Sequence, residues 1–470
     1  MFQPPLPQLP PEDDFLTEGV MRSSRFSDIY FSIENGLEEA RHVFIRGTGL
    51  QNRLSGEGQL IIAETGFGTG LNFLAVIAEV LRQKSRTKID FISVEGCPPS
   101  KQNVAAALRA FPELQKIFDE FLKKWPRRWL GVHHMSFLDG QISLHLHHGE
   151  AKQVLPTLDF SADIWFLDGF SPAKNPEIWS SEIIQQIARL SVHKACLATF
   201  TVAASVRSSL ADAGFTCQRV AGFGCKRDML TASYMKGCSL EKQLRPRRVL
   251  VIGGGIAGCA VAGGLKTLGI EAIILDAAAQ EGAGASGNPA GIVVPFLTVG
   301  DMVGMRLSIS ALADTRAFLD AHDLILSNGV ISLDYDKRKS SRQKKIADQG
   351  FPSDLATYKS ADELSAICGL PVKSGGLLFE TGAVIQPRQV SGQLAEGVER
   401  IYSAQLQAIS GEEGAWIAHC MDGRTFMADH VVLCAGADFP KLLETIGYDL
   451  GLYQVTSGQL SILPKTTELA

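Results

Sequence analysis

Short apolar runs recur along this chain, each closed by a glycine-rich or polar turn and followed by a helical period. Gln59-Leu60-Ile61-Ile62-Ala63 leads into Glu64-Thr65-Gly66-Phe67-Gly68-Thr69-Gly70, and a helix-period pattern continues from Leu71 to Leu81. Strand-like runs follow at 89 to 94, 141 to 147, 162 to 167 and 195 to 200, separated by helical or loop segments. The sequence then starts again: Val249-Leu250-Val251-Ile252 opens into Gly253-Gly254-Gly255-Ile256-Ala257-Gly258, with a helix to about Leu268. Strands of four to eight residues alternating with helices predict α/β units with parallel sheets. Two such starts, far apart, predict two nucleotide-binding sheets. The polar, basic run Glu241-Lys242-Gln243-Leu244-Arg245-Pro246-Arg247-Arg248 is the expected boundary, because Pro246 disfavours helix just before a new strand. The expected domains are therefore 1–242 and 248–470.

Composition narrows the class without naming the chemistry. The 470 residues, 45 % apolar and 20 % charged, suit two or three globular domains and exclude a largely disordered chain. The net charge of −5 is unevenly spread. Met1 to Arg248 holds 29 Lys/Arg against 26 Asp/Glu and the remainder 16 against 24, so a polyanion is expected to meet the first half. Nine cysteines without a CxxC pair point to reduced thiols, no structural zinc and a cytoplasmic location. The start, Met1-Phe2-Gln3-Pro4-Pro5-Leu6-Pro7, lacks the basic and apolar regions of a signal peptide and reads as an extended arm. The most apolar stretch, Val249 to Leu275, is interrupted by glycines and Lys266, so strand, turn and buried helix explain it better than a membrane span.

In the first half, Gly66, Gly68 and Gly70 let backbone approach a ligand closely, while Glu64 before them disfavours a pyrophosphate and suits a cationic or hydroxyl-bearing ligand. The ExGxGxG pattern resembles the first motif of class I (Rossmann-like) S-adenosylmethionine-dependent methyltransferases, with Thr65 where a leucine is expected. Glu95, closing the next strand, can accept the two ribose hydroxyls. Glu150, after the third strand, would lie near adenine. The fourth strand exits through Asp168-Gly169-Phe170-Ser171-Pro172-Ala173-Lys174-Asn175-Pro176, where ligands of open α/β sheets bind. That run resembles the acidic, proline and aromatic loop of amine-nitrogen methyltransferases. Asp168 is then the group that orients an amine and helps remove its proton, and Phe170 packs on the substrate ring.

Together with Phe26-Ser27-Asp28-Ile29-Tyr30-Phe31-Ser32 and Gly222-Phe223-Gly224-Cys225-Lys226-Arg227, these motifs resemble the methyltransferase half of the bifunctional tRNA 5-methylaminomethyl-2-thiouridine biosynthesis family (MnmC). The resemblance covers Asp13 to about Met235. It implies methylation of the primary amine of 5-aminomethyl-2-thiouridine at the tRNA wobble position, with Glu64, Gly66, Gly68, Gly70 and Glu95 on S-adenosylmethionine. The anticodon loop would be met by basic and aromatic residues: Lys226, Arg227 and the interleaved Lys123-Lys124-Trp125-Pro126-Arg127-Arg128-Trp129, which reads equally well as a solvated face. His145, His147 and His148 read as strand-face histidines rather than metal ligands.

In the second half Gly253-x-Gly255-x-x-Gly258 follows a strand and opens a helix, and Asp276 lies about twenty residues on, the dinucleotide fingerprint. The glycines admit a pyrophosphate to the helix N-terminus and Asp276 would hold ribose hydroxyls. Gly284-Ala285-Ser286-Gly287-Asn288-Pro289-Ala290-Gly291 resembles the second flavin-contacting loop of oxidoreductases of the D-amino-acid-oxidase type. Val431 to Ala437, with Gly436, resembles the strand returning beneath their cofactor. The implied site is FAD on Gly253, Gly255, Gly258, Asp276, Ser286, Gly287, Asn288 and Gly436, in a Rossmann-type domain with an α+β substrate part. In the family this half oxidises a carbon–nitrogen bond of 5-carboxymethylaminomethyl-2-thiouridine and leaves the amine for the first half. Only 34 residues follow Gly436. The family's closing segment is expected to be missing, the FAD domain incomplete at its C-terminus, and flavin binding and oxidase activity weak or lost. Two alternatives stay open: a methyltransferase fused to a small-molecule amine oxidase, distinguished by lack of tRNA dependence, and a tRNA-binding remnant that binds no methyl donor. No catalytic group of the oxidase half, and no oligomeric state, is legible.

Overall fold

The computed structural model describes residues 9–10, 14–17, 20–32, 35–56, 58–224, 226–236, 246–300, 303–412, 414–451 and 454–455. The terminal arm Met1–Pro7, the linker residues 241–245, Cys225, Cys238 and the tail 463–470 lie outside the described residues. The chain divides into two units, one of residues 1–241 with 300–314, the other of residues 242–299 with 315–470.

The first unit is built on an eight-stranded sheet: β1 (Gln59–Thr65), β2 (Lys88–Glu95), β3 (Gly131–Phe137), β4 (Ile142–His148), β5 (Ala162–Leu167), β6 (Ser191–Thr199), β7 (Phe215–Ala221) and β8 (Asp228–Tyr234). Their order is β7-β8-β6-β5-β1-β2-β4-β3. β6, β5, β1, β2 and β4 run parallel, whereas β3 pairs antiparallel with β4, and β8 antiparallel with both β6 and β7. β3, β7 and β8 were not expected; their mixed polar and apolar residues hide the strand period that the central runs display.

Burial on both faces explains the unbroken apolar runs of the central strands. In β5, Ile164 and Phe166 pack into one hydrophobic layer while Trp165 and Leu167 pack into the other. Helix α1 (Leu71–Gln83) covers the first layer and buries Leu71 through Ile77 and Val80. It starts at Gly70, whose φ of +77° and lack of space for a Cβ, 2.5 Å from Phe121 Cζ, leave room for glycine alone. Phe73 is fully buried on α1, with its ring 5.1 Å from Phe91 and 5.2 Å from Phe137. Helix α2 (Ala204–Ala213) follows β6 and precedes the edge strand β7. Because β1 is flanked by β2 on one side and β5 on the other, the chain reverses its direction of winding there, and a crevice forms beyond the carboxyl ends of these strands.

The second unit has a four-stranded parallel sheet of β9 (Arg248–Ile252), β10 (Glu271–Leu275), β11 (Glu399–Ile401) and β12 (His430–Leu433), ordered β11-β10-β9-β12. Helix α3 (Ile256–Thr267) connects β9 to β10. An antiparallel sheet (Gly291–Val293, Gly376–Ile385 and Ile325–Leu333) and a meander (Leu406–Glu412, Ala415–Cys420 and Thr425–Ala428) complete it. Both units are α/β, each built on a Rossmann-like sheet. Among the described residues no helix is long and apolar enough to cross a membrane.

Truncating Phe73 to alanine leaves a cavity among the rings of Phe67, Phe91, Phe121 and Phe137. Phe73→Ala is expected to cost about 3–5 kcal/mol, read as a lower urea midpoint for the first unit's unfolding at unchanged slope.

Candidate functional site

The crevice beyond β1, β2 and β5 is a cavity of about 800 Å³, lined by residues of the glycine turn, both strand exits and the segment from Arg25 to Ser32. Its floor is a hydrogen-bonded relay of two carboxylates. Glu64, in β1, is buried; one oxygen accepts a hydrogen bond from Asn72 Nδ2 at 2.9 Å and the other from Ser93 Oγ at 2.8 Å. The same Asn72 amide donates to Asp168 Oδ2 at 2.7 Å, and the backbone N–H of Gly169 donates to Asp168 Oδ1 at 2.8 Å. Asn72 sits in the first turn of α1, so the glycine turn that starts the helix also sets the bridge between the carboxylates.

Two carboxylates sharing one amide inside protein are held away from their solution behaviour. Burial pushes the Glu64 carboxyl well above its ordinary range, opposed by the Asn72 and Ser93 hydrogen bonds and reinforced by the charge of Asp168. Asp168 keeps a little accessible surface on the cavity floor. Burial pushes its carboxyl up to about 6; the Gly169 and Asn72 hydrogen bonds pull it down, Glu39 raises it and Lys226 lowers it. At neutral pH Asp168 is thus an ionised carboxylate with more than the usual affinity for a proton.

Above the floor the walls differ. Phe170 stacks on Phe26 with ring centroids 4.8 Å apart and meets Tyr30 edge-on at 5.1 Å. Trp179 Nε1 fixes the Phe170 carbonyl at 2.8 Å, and Asp28 Oδ2 accepts from the Ser171 N–H at 3.1 Å. Lys174 Nζ also reaches Asp28, at 3.1 Å. On the other side Glu95, at the end of β2, accepts the Gly68 N–H at 2.7 Å and the Cys97 N–H at 2.8 Å, so its carboxylate stands at the glycine turn. Glu150 lines the same side 3.6 Å from Arg25. Lys226 reaches the cavity through its ion pair with Glu39 at 2.7 Å and lies 4.4 Å over the Phe200 ring.

Of the residues singled out from sequence, Gly66, Gly68, Glu95, Glu150, Asp168, Phe170 and Lys226 line this cavity, whereas Glu64 is buried behind it, joined to its lining through Asn72, and Gly70 is packed against Phe121 and does not line it. Arg227 is exposed and does not line it. The interleaved basic and aromatic run is corrected in part: Trp125 and Trp129 are buried core rather than rings free to stack on bases. His145, His147 and His148 lie on β4, and among the described residues no group of metal-binding side chains forms. Sequence reasoning missed Asn72, Phe26, Tyr30 and Glu39. For Phe26 and Tyr30 the signal was present in the Phe26–Ser32 motif, quoted without roles.

In the second unit Gly253, Gly255 and Gly258 form the turn from β9 into α3. A Cβ on Gly258 would lie 1.8 Å from the Gly253 carbonyl oxygen, so this glycine is required for helix and strand to approach. Asp276, just past β10, accepts from the Gly254 N–H, and from Ala278 N–H at 2.7 Å. Ser286 Oγ accepts the Ile256 N–H at 2.9 Å at the start of α3. Gly287 and Asn288 belong to the same turn, and Gly436 follows β12 with φ of +57°. A cradle of backbone N–H groups at a helix start, a hydroxyl beside it and a carboxylate at the next strand end fits the pyrophosphate and ribose of FAD.

A family model described as S-adenosyl-L-methionine-dependent methyltransferase matches residues 112–235, a span containing Asp168 and Phe170. A second, described as FAD dependent oxidoreductase, matches residues 248–470. The chain is 36 % identical over 97 % of its length to the tRNA 5-methylaminomethyl-2-thiouridine biosynthesis bifunctional protein MnmC of Aeromonas hydrophila, covering 73 % of that protein. Proteins of the same name from Pseudomonas savastanoi and Marinobacter nauticus are 35 % and 34 % identical, over 96 % and 97 % of this chain and 72 % and 75 % of theirs.

The bridge on the cavity floor makes a direct prediction. A hydrogen bond donated to a carboxylate favours its ionised form, so Asn72→Leu should raise the Asp168 midpoint from about 6. A bond to a charged group is worth about 1.5–3 kcal/mol, or roughly one to two pH units. The carboxyl-stretch infrared difference between each protein and its Asp168→Asn counterpart, followed with pH, measures this.

Proposed function

The chain belongs to the bifunctional tRNA 5-methylaminomethyl-2-thiouridine biosynthesis family, and from that membership and the cavity's geometry we propose that its two halves act in succession on the wobble uridine of tRNA. It is a bifunctional enzyme of tRNA wobble-uridine modification, with an S-adenosylmethionine-dependent methyltransferase domain and an FAD-dependent oxidoreductase domain. In the family's order of steps the oxidoreductase half, to which residues 248–470 belong, acts first and turns 5-carboxymethylaminomethyl-2-thiouridine into 5-aminomethyl-2-thiouridine. Residues 1–242 then methylate the amine to give 5-methylaminomethyl-2-thiouridine. The location proposed is cytoplasmic, where tRNA is modified.

The observation that carries the methyl-transfer reading is the Asp168 carboxylate on the floor of an 800 Å³ cavity with aromatic rings above it. An alkylamine is mostly protonated at neutral pH, and only its free base has the lone pair that displaces a methyl group. Asp168 accepts hydrogen bonds from the amine and takes the proton that its ammonium form must shed before attack, freeing the lone pair that forms the new carbon–nitrogen bond. The methyl group leaves the donor's sulfonium, which becomes a thioether. A carboxylate raised to about 6 is a better proton acceptor than a free one and stays ionised at neutral pH. Asn72 and the Gly169 N–H hold it in one orientation, and Phe170 with Phe26 and Tyr30 offers the flat surface that positions a uracil ring. Glu95 accepts the donor's ribose hydroxyls, Glu64 and the glycines Gly66, Gly68 and Gly70 accommodate its amino-acid portion, and Glu150 lies toward adenine. Lys226 and Arg227 serve the RNA.

In the oxidoreductase half, Gly253, Gly255, Gly258 and Asp276 hold the adenosine and pyrophosphate of FAD, with Ser286, Gly287, Asn288 and Gly436 around it. The flavin supplies hydride acceptance from the carbon–nitrogen bond. This chain's own residues bind and orient it.

Purified chain, labelled S-adenosylmethionine and tRNA carrying 5-aminomethyl-2-thiouridine should give methyl transfer to the wobble base. Asp168→Asn should lower single-turnover rate roughly 10²–10⁴-fold with donor affinity kept. Loss of one charge-assisted hydrogen bond in Glu95→Gln should instead weaken donor binding about 10–100-fold, read by calorimetry. Methylation that needs no tRNA would replace this reading with a small-molecule amine methyltransferase.

A further inference from the structure

A second concavity, of about 430 Å³, lies against α2 and the sheet edge. Ala204, Arg207, Ser208 and Ala211 follow one another along a single face of α2, and Cys217 and Arg219 share one face of β7, with Leu230 of β8 beside them. The two alanines leave space, and the two guanidinium groups and the Ser208 hydroxyl supply donors. Arg207 Nε is enclosed without a hydrogen-bond acceptor. Among the described residues neither Arg207 nor Arg219 has an acidic partner, and no carboxylate lines the concavity. Burial pushes the Cys217 thiol up, so it adds no negative charge. An unpaired pair of arginines in a hollow is a site for an oxyanion, which guanidinium groups hold with paired, planar hydrogen bonds.

Its place in the sheet says which oxyanion. β7 runs in the same direction as β5 and β6, so Arg219, near the β7 exit, and Arg207, in the first half of α2, lie toward the end of the sheet where Asp168 opens into the cavity. Three strand spacings, about 15 Å, separate β5 from β7 through β6 and β8. We propose that the Arg207–Arg219 concavity holds a backbone phosphate of the RNA substrate, a few nucleotides from the base whose amine enters the cavity. This rests on the tRNA reading above. The contact sets register along the strand and reads no base.

The test uses the full chain and tRNA bearing 5-aminomethyl-2-thiouridine, with binding measured across a salt series. Arg207→Gln/Arg219→Gln should weaken tRNA binding roughly ten-fold at moderate salt and make the slope of log K against log salt shallower by roughly one to two. Its affinity for S-adenosylmethionine should stay at the wild-type value, which also shows that the variant is folded. Arg207→Lys/Arg219→Lys should keep the slope and lose part of the affinity. The control Arg82→Gln/Lys84→Gln, at the far end of α1, should bind as wild type. Wild-type affinity and slope in the glutamine variant would overturn the proposal while leaving the tRNA reading intact. A wild-type chain that does not bind tRNA would overturn both.

Discussion

One side-chain amide holds the first unit's site together. Asn72 donates to Glu64 and to Asp168 at once, and without it two carboxylates would face each other at the bottom of a cavity with nothing between them. Buried carboxyl groups are tolerated where donors satisfy their oxygens, and here the donors are few and specific: the Asn72 amide, the Ser93 hydroxyl and the Gly169 N–H. Everything that places Asn72 therefore also places the two carboxyl groups. The left-handed turn at Gly70 starts α1, the apolar face of α1 seats it on the sheet, and Asn72 falls within its first turn. Thr65 adds a tie between the strand exits, donating from Oγ1 to the Asp168 carbonyl at 2.9 Å.

Much of this was legible because parallel strands buried on both faces write continuous apolar runs, and the residue closing such a run stands at the ligand-binding edge. Glu95 and Asp168 were found that way, and Glu64 as the acid before the glycines. Asn72 was not, since a polar residue at the start of a helix looks like any other first-turn residue until the neighbouring strand is folded beside it. Phe26 and Tyr30 lie some 140 residues before Phe170, and no local period announces their stacking. At Trp125 and Trp129 alternation with basic residues left an RNA surface and a solvated face equally open. Their rings are buried, while Lys123, Lys124 and Arg127 point out, the ordinary arrangement of an amphipathic segment.

The second unit shows how far a motif in context reaches. Three glycines after a strand and an acid at the end of the next gave both the helix start and the Asp276 position, because that geometry has few other solutions. Ser286 at the start of α3 was named from its loop, and its hydroxyl accepts the Ile256 N–H there. The antiparallel sheet and meander that follow carried no comparable motif, although the strand Gly376–Ile385 is ten residues long and largely buried.

The central claim is that Asp168 is the base that receives the amine's proton. Its most direct test is the pH dependence of single-turnover methyl transfer from S-adenosylmethionine to tRNA bearing 5-aminomethyl-2-thiouridine, for the wild-type chain and Asp168→Asn. The account predicts a rate that falls as pH drops through about 6 in the wild type, and loss of that inflection in the variant. A profile governed only by the amine's own, higher pKa and shared by both proteins would contradict it.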